Sequence, residues 1–324
     1  MPVRPSTRRT SPGTRTLARV LTLALAAGGL VIGGGGMAAT AAAPVQTRTS
    51  ARVAPDAADL GPAVHAGRAA ARAESQRVTV KVPSAARTGS RITVSGTVSP
   101  ARAGLIVSVQ RRYGGSWHAV GSARLSSKGT WSVSTRTPKG RGWLRYRAVA
   151  ARNGALPARA VEAPRVDNYT RHTYVVRKRG TITVFMKDFA AQAAQTYADR
   201  RGWRAAHHRF TRVSTGGDFT LVLAEARYLP SYSSVCSVRY SCRVGRYVVI
   251  NQNRWRRGSS PFTGSLRDYR HMVVNHETGH WLGRHHEFCG GKDKLAPVMQ
   301  QQSKSLQGCR PNAWPLKFEI AAVA

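Results

Sequence analysis

The sequence predicts a multidomain protein, an N-terminal antiparallel β-sandwich followed by a C-terminal α+β domain. Three observations carry that expectation. The length of 324 residues suits two domains better than one or four. Short apolar runs that alternate with polar residues begin at Val78 and are separated by turn residues. From about Val166 the pattern turns into a mixture of strand-like and helix-like segments, and all four cysteines fall beyond that point.

Hydrophobic residues make up 42% of the chain, enough to build real cores and to exclude wholesale disorder. The 51 basic and 14 acidic side chains leave a formal charge of +37. Most of the cations are arginines scattered along the chain. They read as a solvated surface with weak contact to anionic cell-wall polymers at low salt, and not as a specific nucleic-acid footprint.

Residues 1–41 read as a signal peptide. Arg4, Arg8, Arg9, Arg15 and Arg19 form a basic n-region, an apolar run extends from Val20 to about Met37, and Ala39-Thr40-Ala41 fits a cleavage site. A retained membrane anchor is the alternative, which Gly33 to Gly36 weaken. After cleavage the expected location is secreted or extracellular, in a compartment where disulfides persist, with no integral membrane segment. Residues 42–77 are rich in Ala, Arg and Pro without a sustained period and read as a flexible linker.

Residues 78–163 read as the sandwich. Val78, Val80 and Val82 alternate with polar residues, as do Ile92, Val94 and the stretch to Val98. Further runs follow at Ile106–Val109, Trp117–Leu125, Trp131–Val133 and Leu144–Val149, separated by Tyr113-Gly114-Gly115, Ser127-Lys128-Gly129 and Pro138-Lys139-Gly140. The pattern resembles the Ig-like modules of bacterial surface and secreted proteins. It holds no cysteine and no acidic residue before Glu162, so a spacer or adhesive role is expected of it and not catalysis.

Residues 166–324 read as the α+β domain. Thr181–Phe185, Phe210–Val213, Phe219–Ala224 and Tyr247–Asn251 are expected strands; Phe189–Asp199 is an expected Ala-rich helix. A helical period then runs from about Ser265 to Leu282, placing Tyr269, Val273, His276, His280 and Gly283 on one face. His276 and His280 stand one turn apart, the geometry that offers two imidazole nitrogens to a Zn²⁺ ion. Glu277 lies beside the first of them, placed to take a proton from water and deliver it to a leaving amine. Gly283 can turn the chain back through the left-handed conformation, and His286 follows three residues later as the third expected ligand, with His285 as its rival. His271, His207 and His208 are expected off the site, the last two as solvated residues.

The full run from His276 to His286, H-E-x-x-H-x-x-G-x-x-H, resembles the metzincin zinc peptidases. That resemblance implies a zincin fold and a Met-turn, for which Met299 in Ala296-Pro297-Val298-Met299-Gln300 is the candidate. No Tyr follows Met299, where members of the clan commonly carry one to assist the metal or oxyanion. The region from about Thr173 to Pro315 also resembles an uncharacterised zincin-like family of secreted actinobacterial proteins, domain of unknown function 3152. The likeness rests on Arg201-Gly202-Trp203, Val249-Ile250-Asn251 with Arg254-Trp255, the Val274–His280 run, Pro297-Val298-Met299-Gln300-Gln301, Lys304-Ser305-Leu306, and Cys309-Arg310-Pro311-Asn312 with Trp314-Pro315. It implies a zinc-peptidase-like fold with an unassigned substrate.

A Cys289–Cys309 bridge would tie the third-ligand segment to the Met-turn segment, and Cys236–Cys242 would then close a small loop. Four cysteines allow three pairings, and the sequence does not choose. The functional expectation is a secreted zinc metalloendopeptidase acting on a peptide or protein substrate, with Tyr247–Asn251 as the sheet edge to which an extended substrate adds. Its alternatives are a catalytically inactive zincin-like binding protein of the cell surface and a basic anionic-polymer binder.

Overall fold

Alternation at a period of two puts every second side chain of a strand on one face, and that rule builds the first half of the described chain. The computed structural model describes residues 75–324; the signal segment 1–41 and most of the linker 42–77 lie outside the described residues. Nine strands come first: Arg77–Val78 (β1), Ala85–Arg87 (β2), Arg91–Ser99 (β3), Ile106–Tyr113 (β4), Ser116–Arg124 (β5), Thr130–Arg136 (β6), Gly142–Leu144 (β7), Tyr146–Ala150 (β8) and Arg159–Glu162 (β9). Seven of them form two antiparallel sheets, ordered β1-β3-β6 and β5-β4-β8-β9, while β2 and β7 pair with the strand that follows β9. Val94 and Val133 from one sheet meet Val107, Val109, Tyr146 and Ala148 from the other in a shared apolar core. Two strands, β2 and β9, carry too little apolar alternation to be read from sequence. Their registers are held by their neighbours.

The second half begins with Val166–Arg179 (β10), followed by His208–Arg212 (β11), Phe219–Ala224 (β12), Cys242–Val244 (β13) and Tyr247–Asn251 (β14). These strands lie in the order β11-β10-β12-β14-β13, parallel except for the last pair. Burial of all six β12 residues is what a parallel strand covered on both faces demands. Four helices accompany the sheet: Met186–Ala198 (α1), Gln252–Arg257 (α2), Leu266–Trp281 (α3) and Lys317–Ala321 (α4). Helices α1 and α3 pack on each other, and α3 also lies against β13 and β14. The core between them holds Tyr174, Phe189, Tyr197, Trp203, Leu221, Ile250, Trp255 and Met272, each such burial contributing roughly 1.5–3 kcal/mol. The described residues are mostly β-sheet with few helices, and no helix among them is long and apolar enough to cross a membrane.

Strand β10 belongs to both halves. Its first residues pair with β2 and β7, and its later residues pair with β11 and β12. The expected strand at Thr181–Phe185 is absent. Its backbone bonds go instead to side chains: Thr183 N donates to Gln252 Oε1 at 2.6 Å, Gln252 Nε2 donates to Thr181 O at 3.1 Å, and Thr181 N donates to Glu225 Oε2 at 2.8 Å.

Candidate metal centre

Helix α3 starts where Ser265 accepts from Asp268 N at 3.0 Å, a side-chain cap that satisfies an otherwise free donor. It stops at Gly283, whose φ of +90° turns the chain. There Gly283 N donates to His280 O at 3.1 Å and Arg284 N to Gly279 O at 2.9 Å, the paired bonds of a glycine-terminated helix end. The turn returns His286 to the helix. His280 Nε2 lies 3.2 Å from His276 Nε2 and 3.2 Å from His286 Nε2. Three imidazoles from one helix and one loop thus converge, with a ligand atom of each within 4.8 Å of the others.

The outer nitrogens decide the protonation. His276 Nδ1 lies 2.8 Å from Val298 O, and His280 Nδ1 lies 2.8 Å from Arg284 O. Carbonyl oxygens only accept, so both Nδ1 atoms carry the proton and both Nε2 atoms present lone pairs. Burial pushes His276 down to about 3 and His280 down to about 4, so neither ring holds an extra proton near neutrality. Burial also lowers His286. Lone pairs facing each other at 3.2 Å repel unless a cation stands between them. A tetrahedral ion with Zn–N bonds of about 2.0–2.1 Å requires nitrogens about 3.3 Å apart, so this donor set fits Zn²⁺.

Glu277 follows His276 on α3, is 5% exposed, and borders the same cleft. Burial raises its carboxyl to about 8. It therefore keeps a proton near neutrality unless positive charge is placed beside it. The cleft has a volume of about 540 Å³ and is also lined by Tyr240, Arg243, Gln301 and Lys304.

Met299 is fully buried beneath α3. A Cβ on Gly279 would lie 2.3 Å from Met299 Sδ and 2.7 Å from Trp203 Cζ2, so glycine is what lets this segment approach. Glu319 of α4, itself buried, accepts from Val298 N at 3.0 Å, Met299 N at 2.8 Å and Leu316 N at 2.7 Å. It anchors the segment whose Val298 carbonyl orients His276. Cys289 and Cys309 are disulfide-bonded, with Cα atoms 5.8 Å apart, and Cys236 pairs with Cys242 at 5.7 Å.

Other expectations meet a different outcome. Strand β14, Tyr247–Asn251, is not the sheet edge: it pairs with β12 on one side and β13 on the other. The edge is Cys242–Val244, a strand too short and polar to be read from sequence, held by the Cys236–Cys242 bridge. His207 and His208 are buried and not solvated: His207 Nδ1 lies 2.6 Å from Asp167 Oδ1, and His208 Nδ1 lies 2.7 Å from His172 Nε2. His285 is exposed beside the cleft, and His271 is buried with Nδ1 2.8 Å from Thr196 Oγ1. Sequence reasoning missed Tyr240, Arg243, Lys304 and Glu319. Tyr240 and Arg243 flank Cys242, and the Cys236/Cys242 spacing was the signal that could have found them.

Among solved structures, the sulfur carrier protein SoxY from Chlorobium limicola f thiosulfatophilum is similar at 18% identity over 28% of this chain and 77% of its own, with a TM-score of 0.22. The CARDB domain of PF1109 from Pyrococcus furiosus is similar at 14% identity over 29% of this chain and 94% of its own, with a TM-score of 0.21. No curated protein matches. A family model described as "Protein of unknown function (DUF3152)" matches residues 150–316, a span that opens at the end of β8 and takes in the histidine cluster, the Met299 segment and all four cysteines. The chain belongs to this DUF3152 family.

Proposed function

We propose that the chain is a secreted zinc-dependent metallopeptidase, a metzincin-like zincin domain carried behind an Ig-like sandwich. One observation carries the reading: three neutral imidazoles aim nitrogens at a common point, two of them with their outer nitrogens committed to carbonyls. His276, His280 and His286 would hold the ion. Bound there, zinc would act as a Lewis acid that acidifies water and polarises a carbonyl. Glu277 takes the proton from the attacking water and passes it to the leaving amine nitrogen. Burial alone favours its protonated form, and the positive charge of an ion held by the three histidines would restore the carboxylate that takes the proton. Val298 O and Arg284 O keep two of the rings in the tautomer that ligates. The exposed edge of β13 can accept an extended peptide by backbone hydrogen bonds, laying it along the cleft beside α3. Tyr240, the one tyrosine lining that cleft, is the candidate donor to the substrate carbonyl oxygen, in place of a Tyr after Met299. The disulfides support an extracellular location.

The test is metal analysis of the purified full-length chain together with cleavage of a peptide library. One equivalent of zinc and hydrolysis are expected, and Glu277→Gln should keep the zinc while losing roughly 10²–10⁴ in rate. Equal hydrolysis by the two proteins would remove Glu277, and the mechanism with it.

A further inference from the structure

We propose that the cleft selects extended peptides bearing acidic side chains, with Arg243 and Lys304 as the groups that receive the carboxylates. The cleft wall carries the cations Arg243, Arg284 and Lys304 against a single acid, Glu277. Arg284 is already neutralised by Glu287 at 2.8 Å. Arg243 and Lys304 have no acidic partner among the described residues, although Asp167, Asp199, Glu162 and Glu225 each serve an arginine elsewhere. Arg243 Nε is buried with no hydrogen bond, and Lys304 Nζ stands 5.5 Å from the Tyr240 ring centroid. A half-buried guanidinium without an acceptor is incomplete, and a carboxylate completes it with charge-assisted bonds.

Position adds direction to this. Arg243 is the central residue of β13, whose outer edge has no strand partner. Lys304 and Arg243 line the same cleft as His276, His280 and His286. A peptide added to β13 would pass between the two cations. A concave wall of one sign also concentrates ligands of the other.

The proposal rests on the peptidase reading for the reaction but not for binding, so binding is measured. Zinc-loaded full-length Glu277→Gln protein is titrated with fluorescein-labelled hexapeptides containing Asp and Glu, and with the isosteric Asn and Gln peptides, in salt of about 150 mM. The acidic peptides are expected to bind about tenfold tighter or more. Adding Arg243→Gln and Lys304→Gln should remove most of that preference, with Arg243→Gln alone removing part of it. Arg112→Gln with Arg124→Gln, both exposed on the sandwich, should leave it intact. Equal affinity for the two peptide classes, or binding of neither, overturns the proposal. So does a preference retained in the Arg243/Lys304 variant, which would assign it to diffuse surface charge that any polyanion could engage. Failure of the peptidase reading would show separately, as hydrolysis unaffected by Glu277→Gln.

Discussion

Gly279 sits one residue before His280, and the absence of a side chain there sets how closely the Met299 segment and Trp203 approach α3. An alanine would place a carbon 2.3 Å from Met299 Sδ, far inside contact distance. Neither neighbour can retreat freely, because Met299 is fully buried with its backbone N–H bound to Glu319, and Trp203 Nε1 donates to Asn275 O at 2.9 Å. Gly279→Ala is therefore expected to destabilise the protein by about 1–3 kcal/mol. It should also weaken zinc binding, since moving Met299 moves the Val298 carbonyl that orients His276. Thermal melts and a zinc titration of the variant check both effects. Unchanged values would show that the segment has room that the packing denies it.

At the scale of elements, the two disulfides lock different parts of the site. Cys289–Cys309 spans 20 residues and holds the loop carrying His286, while Cys236–Cys242 spans 6 and holds the approach to β13. Loop-closure entropy assigns about 3 kcal/mol to the first and about 2.4 kcal/mol to the second. Replacing Cys289 and Cys309 by Ser should lower stability and zinc affinity together. Replacing Cys236 and Cys242 should lower stability and peptide binding but leave zinc affinity near its original value. Unfolding curves, zinc competition and peptide titrations on the two variants check this; identical zinc affinities would mean that the His286 loop is held by other contacts. The elements also show what the sequence makes legible. Helix α3 was readable to within a residue, because its cap, its period and its terminal glycine all act locally. Strands β12 and β14 were readable from their apolar runs. The edge was not: whether Tyr247–Asn251 or Cys242–Val244 lies outermost depends on which strand a distant partner covers. Thr181–Phe185 failed for the same reason, since Gln252 and Glu225 take its backbone bonds from far along the chain. His207 and His208 looked solvated because their partners, Asp167, His172 and Val323, are remote in sequence.

At the scale of the whole molecule, β10 makes one structure of the two layers. Its start completes hydrogen bonding with β2 and β7, and its continuation seeds the sheet under the candidate metal site. The joint is polar and buried. Arg141, from the sandwich side, and His208, from β11, both reach Val323 O, at 2.8 and 3.0 Å, and His208 in turn pairs with His172 of β10. Burial lowers both His172 and His208 to about 4, with Asp218 opposing the shift at His172, the Val323 carbonyl opposing it at His208, and Arg141 adding to it at both. In the unfolded chain each titrates near 6.5. Between about pH 6.5 and 4 the unfolded state thus binds protons that the folded state refuses, so stability falls as pH falls through that window. The loss is on the order of 3 kcal/mol for the pair once the partial exposure of His172 is allowed for. Because the pair sits where both layers meet the C-terminal segment, the expected outcome is one urea transition at pH 7 and still one at pH 5, with a lower midpoint. Amide exchange from Val94 in the sandwich and Leu221 in the second sheet should report the same opening free energy at each pH. The His172→Gln, His208→Gln double variant should show a shallower dependence than the parent. Separate transitions for the two layers would mean that β10, paired with β2 and β7 at its start and with β11 and β12 beyond, does not couple their unfolding.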